Sequence, residues 1–333
     1  MSSIISSPGL GEGSYVDVLG IDISKADFHC CLMQGERNSA RSFPNNPSGY
    51  RQLQSGLRHR RSVDVHACME ATGAYWLGVA KALYENGATV SVVNPASTVH
   101  FARSLLQRTK TDQVDAAMLA RFCRERRPEA WQPPAPETLE IRALENYRKE
   151  LIDERVRRKQ IIEDVPVGAH LRAMHERHLQ ALDEAIEQTE AEMRRVVKAD
   201  SLMTAQVAAL EAIKGIGFLS AVAIVAKLPV ERLRNGKAAA AYAGLAPAER
   251  QSGTSVHGKP RICKTGNAKL RRDLYMPALS ASRHNPILKA FAERLSERGK
   301  PNKVILAAVM RKLVVLAYRL LKDLTLEKSA ATA

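Results

Sequence analysis

Short apolar runs and alternating positions fill the first third of the chain, and helical spacing fills the rest. YVDVLGIDIS, with Val16, Val18 and Ile21, predicts a first strand. FHCCLMQ predicts a second strand after a short turn, and ARSFPNN a third that completes a meander. VDVHACMEATG predicts another strand, ending in a polar, glycine-containing turn. TGAYWLGVAKALYENG has helical spacing and a glycine stop at Gly87. ATVSVVNP is a strand closed by Pro95, and the helices PASTVHFARSLLQR and TDQVDAAMLARFCRER follow. Three strands followed by alternating helices and strands predict a mixed sheet with helices on its faces.

The proline-rich WQPPAPE reads as a linker. From Thr138 to Asp200 the only breakers are Pro166 and Gly168, charges are dense, and Leu179, Leu182, Ile186, Met193 and Val196 recur at steps of three and four or their multiples. Two long helices broken near Val165–Ala169 are expected. Their narrow apolar seam suits either a hairpin within one chain or a coiled coil with a second copy. A third block, Leu202 to Lys328, is helix-rich and alanine-rich. Its last helix, Asn302 to Leu326, is amphipathic and interrupted by Arg and Lys too often to span a membrane. MSSIISSPGLGEGSY has neither a basic start nor a long apolar run, so a short flexible tail is expected there and not a signal peptide.

Length and composition narrow this picture. The 333 residues suit two domains with separate cores, and 45% hydrophobic with 26% charged residues is ordinary for a soluble globular protein. The five cysteines, Cys30, Cys31, Cys68, Cys123 and Cys263, lack zinc-knuckle spacing and read as reduced thiols of a cytosolic protein. His170, His175 and His178 read as a solvated helix face. The net charge of +15 is unevenly placed: from Ala205 onward there are 23 Lys and Arg against 8 Asp and Glu, whereas the first 204 residues hold 27 of each. A basic excess confined to the C-terminal part points to a polyanionic partner, with nucleic acid the usual one.

Carboxylates supply the candidate chemistry. Asp22, in GIDISK, lies at the C-terminal end of the first predicted strand, and Glu70, in MEATG, ends a later one. Asp112 and Asp115, in KTDQVDA, open a predicted helix at i and i+3 and so share its face. Four acids converging at a sheet edge could hold two divalent ions, which stabilise the attacking and leaving oxygens of phosphodiester cleavage. Each acid also has a plainer reading: Asp22 as a turn cap, Asp112 as a helix N-cap, Asp115 as a favourable charge in the first turn. Asp17 and Asp27 are nearby competitors, less well placed.

A second group lies in the basic block. LEAIKGIGFLSAVAIVAKL has the form of a helix-hairpin-helix, in which Lys214, Gly215 and Gly217 could meet a phosphate or merely form a tight turn. Ser252 follows in a Gln-Ser-Gly turn, then Lys259, Arg261, Lys264, Lys269, Arg271 and Arg272 with no acid among them. From spacing alone Ser252 reads first as a turn or phosphate-binding serine, and second as a nucleophile activated by cations.

GIDISK, MEATG, KTDQVDA, IKGIG, YAGLAP, QSG and KTGNAKLRRDLY, in this order, resemble the DEDD transposases of bacterial insertion sequences. These recombinases are related to the Piv-type DNA invertases and include bridge-RNA-guided members. The resemblance runs from about Val16 to Phe291. It implies an α/β RNase H-like (RuvC-like) catalytic domain over residues 15–136, a helical coiled coil over 137–201, and a mostly α transposase domain over 202–328. The four acids would bind Mg2+, with Mn2+ able to substitute. Ser252 would be the covalent nucleophile in a composite centre built from two protomers. Donor and target DNA, a structured guide RNA, a homodimer and a tetrameric recombination complex are the implied partners. A bacterial cytoplasmic protein that joins the nucleoid when active is implied too. The competing readings are a junction-resolving nuclease that uses water, and a non-catalytic nucleic-acid-binding protein.

Overall fold

The computed structural model describes residues 17–62, 64–71, 73, 75–106, 111–164, 168–252 and 256–332, with only the backbone between 249 and 260. The expected N-terminal tail lies outside these. The chain divides into two compact units, Met1–Pro133 and Pro134–Ala333.

The first unit contains β1 (Asp17–Ile23), β2 (Asp27–Gln34), β3 (Arg37–Pro44), α1 (Pro47–His59), β4 (Val65–Glu70), α2 (Trp76–Glu85), β5 (Thr89–Val93), α3 (Pro95–Ser104) and α4 (Asp112–Arg126). The strands form one sheet in the order β3-β2-β1-β4-β5. β1, β2 and β3 pair antiparallel, while β4 and β5 join parallel to β1. This is the mixed sheet that the apolar pattern predicts. Helix α1 is an addition, because its exposed face and many polar residues hide its apolar stripe of Leu53 and Leu57. Asn46 caps it, accepting from the Ser48 and Gly49 amides, and Pro47 stands at its first position.

Alternation along the strands separates two cores. Leu19, Ile21 and Phe28 pack with Leu53, Leu57, Val79 and Leu83 under α1 and α2. Val18, Cys31, Met33 and Cys68 pack with Phe101, Leu119 and Phe122 under α3 and α4. Because side chains alternate, Gly20 and Asp22 share the face of Val18, and Glu70 shares that of Cys68. Gly20 lets α4 lie against that face: a Cβ there would come within 2.0 Å of the Ala116 carbonyl oxygen and 2.2 Å of the Ala120 amide. Backbone cannot yield to this, so Gly20→Ala is expected to destabilise the first unit by about 2–3 kcal/mol. Thermal or urea unfolding checks it, and an unchanged midpoint would show that α4 docks differently.

The second unit opens with α5 (Pro136–Asp164) and α6 (Ala169–Ala199), two long helices that pair within the chain, one of the two arrangements left open by their seam, with 165–167 outside the described residues. Leu151, Leu182 and Ile186 make its seam, and Met193 and Val196 join the larger core beyond it. There follow α7 (Ser201–Glu211), α8 (Phe218–Lys227), α9 (Gly236–Tyr242), β6 (Pro247–Ser252), β7 (Val256–Ile262), α10 (Ala268–Asp273), α11 (Tyr275–His284), α12 (Pro286–Glu297) and α13 (Asn302–Thr332). The antiparallel β6–β7 hairpin is a feature the helical pattern does not predict. Lys227 bridges α5 and α10 at low exposure, 2.5 Å from both Glu145 and Asp273. Among the described residues no helix is long and apolar enough to cross a membrane.

Candidate active site

Three elements carry the four acids to one place. Asp22 lies near the end of β1, Glu70 ends β4, and Asp112 and Asp115 occupy the first turn of α4. Burial pushes the Asp22 carboxyl above its ordinary range, and the charges of Asp115, Asp112 and Glu70 raise it further, in that order. A hydrogen bond with the Ile23 backbone works the other way. The three other acids thus lie within electrostatic reach of the half-buried Asp22, adding to the larger effect of its burial.

One plainer role is taken by another residue, while Asp115 keeps its favourable place in the first turn of α4. Thr111 is the N-cap of α4, accepting from the Val114 amide at 3.3 Å, so capping does not require Asp112. Asp17 stands at the start of β1, and its carboxylate accepts from Gln34 at 2.8 Å. Asp27 accepts from the Ser24 hydroxyl at 2.6 Å. Both competitors are thus held in local turns and strand pairings.

Two further residues touch the acids. His29 stands directly opposite Asp22 in the β1–β2 register, and its Nδ1 lies 3.8 Å from the Asp112 carboxylate. Thr98, fully buried on α3, donates its hydroxyl to Glu70 Oε1, with the Pro95 carbonyl a second acceptor at 2.8 Å. The hairpin register makes His29 findable from sequence, because an antiparallel partner shares its neighbour's face. Thr98 carries no such signal, since its place depends on how α3 docks.

Among the described residues no group of three or more His, Cys, Asp or Glu stands ready to hold a metal ion. Glu70 is turned to Thr98 and Asp112 toward His29. The donors are nonetheless all carboxylate oxygens, which suit a hard divalent cation, and the Asp22 carboxyl, raised by burial and then by its acidic neighbours, would gain from such a cation. The residues fit the group.

In the second unit, the IKGIG turn is built for packing as well as exposure. Gly215 has φ +109°, and a Cβ on it would lie 2.6 Å from the Ala281 amide of α11. Gly217 precedes α8 with open space around it, and Lys214 is exposed. Ser252 ends β6, its backbone paired with Val256, and its side chain and that of Lys259 lie outside the described residues. Arg261, Lys264 and Arg272 are exposed. Arg271 instead donates to the carbonyls of Ala243 at 3.1 Å and Lys264 at 3.3 Å, joining the two loops on either side of the hairpin. Lys269 reaches Asn146 of α5 at 3.3 Å.

This basic helical unit and the acid-bearing sheet are those of a DNA-recombining enzyme, as sequence relatives show. Residues 19–165 match a model of DEDD transposases of the IS110 type, and residues 207–293 match the transposase family named for IS116, IS110 and IS902. The chain belongs to this IS110 transposase family. The pilin gene-inverting protein of Moraxella lacunata is 30% identical over 313 residues, spanning 92% of this chain and 95% of that protein. The pilin gene-inverting protein of Moraxella bovis matches over the same span with 30% identity. A putative transposase of Sinorhizobium fredii is 29% identical over 73% of each chain.

Proposed function

We propose that this enzyme cuts and rejoins DNA strands through a magnesium site on Asp22, Glu70, Asp112 and Asp115 and a covalent link to Ser252. The observation that carries the reading is the placement of Asp22 and Glu70 at the ends of adjacent parallel strands beside the first turn of α4, which bears Asp112 and Asp115. The strand order, with three antiparallel strands and two parallel additions, supports an RNase H-like (RuvC-like) fold for residues 15–136. Residues 137–201 would serve as the coiled coil and 202–328 as the transposase domain.

A divalent cation, Mg2+ with Mn2+ as a substitute, would supply electrophilic stabilisation of the charge that builds on the scissile phosphate. Asp22 and Glu70 sit on strand ends, so the rigid sheet fixes their separation. Asp112 and Asp115 enter on α4, whose seat on Gly20 sets their height above the sheet. The Ser252 oxygen attacks phosphorus, an O–P bond to serine forms, and the bond from phosphorus to the 3′ oxygen breaks. The serine proton is passed on, and the departing oxygen takes up a proton to become a 3′-OH. Reversal of this exchange with a new 3′-OH rejoins the strand, with no net consumption of bond energy. Lys214, Gly217, Lys259, Arg261, Lys264, Lys269 and Arg272 would hold the phosphate backbone, while Gly215 and Arg271 would support that surface from within.

The names of the Moraxella relatives support an inversion or insertion reaction of this type. A guide RNA, a homodimer that becomes a tetramer on DNA, and a centre shared by two protomers rest on the family resemblance. The direct test is incubation with DNA carrying the element's ends, in Mg2+ and in EDTA, followed by denaturing electrophoresis. A protein–DNA adduct that needs the cation is expected. Cation-independent adducts would overturn the acid site, and cation-dependent cleavage without adducts would transfer the nucleophile's role to water.

Thr98 offers a finer test of the same site. Thr98→Val keeps the shape and removes the hydroxyl that orients Glu70, and a partner of this kind affects metal affinity by about 10- to 100-fold. The Mg2+ concentration giving half-maximal cleavage is expected to rise by that factor, with Thr98→Ser restoring it. Equal Mg2+ dependence of the valine variant and the wild type would remove Thr98 from the site.

A further inference from the structure

The first 204 residues are electrically neutral as a whole, yet their charges are not evenly mixed. Between positions 37 and 61 the sequence holds six arginines, Arg37, Arg41, Arg51, Arg58, Arg60 and Arg61, and no Lys, Asp or Glu. In the fold this stretch is β3, α1 and the turn that ends α1. β3 is the edge strand of the sheet, so among the described residues one of its sides has no partner strand. Alternation puts Arg37, Ser39 and Arg41 on the side of β3 that faces α1. Ser39, Arg41 and Arg60 line one pocket there, with Arg60 donating to the Ser39 hydroxyl at 2.7 Å. Gln34, the strand partner of Arg37, reaches the Arg60 carbonyl at 3.5 Å and Ser62 at 3.0 Å. Strand and helix end are thereby brought into one rim.

All of these arginines except the half-buried Arg60 are exposed, and none of the six forms an ion pair with a described residue. Arg58 donates to the neutral Asn86 side chain. Glu36 and Asp64 flank the segment in sequence without pairing to it. Arg61 ends the helix at φ 55°, a left-handed position where glycine is the easy choice. A concentration of unpaired guanidinium groups repels itself unless an anion lies across it. Guanidinium groups also match phosphate geometry better than ammonium groups do.

We propose that the β3–α1 arginine rim is a second nucleic-acid surface, which grips the phosphate backbone of duplex DNA without reading its sequence. It rests on the chain's membership of a DNA-acting family and on neither the metal nor the serine assignment. It also moves part of the DNA-binding function out of the basic C-terminal block, where the charge count alone places it. Duplex DNA is chosen over RNA because DNA is the substrate of the family's enzymes. Phosphate contacts of this kind lower the salt exponent of binding by about 0.9 per contact when removed.

The test uses the full-length double variant Arg37→Gln/Arg41→Gln, because both side chains are exposed and bear no described hydrogen bond. Binding of a random-sequence duplex of about 30 base pairs, the length of some three helical turns, is measured across a salt series. The slope of log affinity against log salt is expected to fall by about 2, and affinity near 0.1 M salt by roughly 10- to 100-fold. Arg37→Lys/Arg41→Lys is expected to keep the slope. A structured RNA probe of equal length forms the second arm. An unchanged slope for DNA overturns the proposal, and a loss confined to RNA overturns its choice of partner. Arginines on an edge strand can also serve only to block strand-to-strand association. That role predicts aggregation of the glutamine variant with an unchanged DNA slope. Because Asp22→Asn leaves the rim intact, it should lose cleavage with the full slope, so failure of the acid site and failure of the rim are read separately.

Discussion

Asn in place of Asp22 is expected to abolish strand cleavage while raising the melting temperature of the metal-free protein. The two effects share one cause. Burial and the charges of Asp115, Asp112 and Glu70 raise the Asp22 pKa, so the folded state holds this carboxylate at a cost. A carboxyl raised in the folded state destabilises above its folded pKa. The penalty is relieved as pH falls through that value, and it is gone below the unfolded value of 3.8. In EDTA at neutral pH the asparagine variant should therefore melt about 1–2 °C higher, a modest gain because the group is only half-buried and partly screened. The gap should close on acidification. Added Mg2+ should reverse the order, since a ligand at 100 times its dissociation constant stabilises the wild type by about 2.7 kcal/mol. Cleavage by the variant should fall at least about 10²- to 10³-fold, the scale of losing one preorganised electrostatic contact at the reacting group. A variant that melts lower in EDTA, or that gains as much from Mg2+ as the wild type, would show that these acids are not a cation site.

Ser252→Ala should eliminate covalent protein–DNA adducts and recombination without touching metal or DNA binding. A nucleophile has no partial substitute, and only background chemistry from the remaining groups should survive. The Mg2+-dependent rise in melting temperature should persist in this variant and vanish in Asp22→Asn, which separates the two halves of the proposed centre. The salt slope for duplex DNA should also persist. Ser252 closes the β6 end of a two-stranded hairpin, and residue 252 falls within the matched transposase segment. Recombination at the wild-type rate by the alanine variant would remove the serine from the chemistry. Adduct loss with continued cleavage would assign the attack to water and make the enzyme a nuclease of the junction-resolving kind.

The strands and helices of the first unit could be read from their periods, because a half-buried strand must alternate and a packed helix must repeat at three and four. α1 escaped that reading, since Leu53 and Leu57 alone mark its apolar face among polar and basic neighbours. β6 and β7 escaped it too, lying in a segment rich in Arg, Lys, Ser and Gly with little apolar alternation. The candidate site divides in the same way. Asp22 and Glu70 at strand ends, and Asp112 with Asp115 on one helix face, follow from local geometry. Their meeting does not, because it needs β4 beside β1 and α4 laid across both.

By itself the sequence determined most of the elements, the acids that stand on them, the candidate serine, the excess positive charge beyond residue 204 and the family. These depend on local periodicity and on residue identity, which a linear chain displays directly. Tertiary structure alone decided that Gly20 seats α4, that Thr98 grips Glu70, that Arg271 is spent on carbonyls, and that Arg41 of β3 and Arg60 at the end of α1 line one pocket. Each of these joins residues far apart in sequence or on different elements. Such pairings are selected by the packing of whole faces, and no local pattern encodes them. The acids were legible as candidates because strand ends and helix starts are local. The burial of Asp22 and its exposure to the charges of Asp115, Asp112 and Glu70 arise only when the fold brings these elements together.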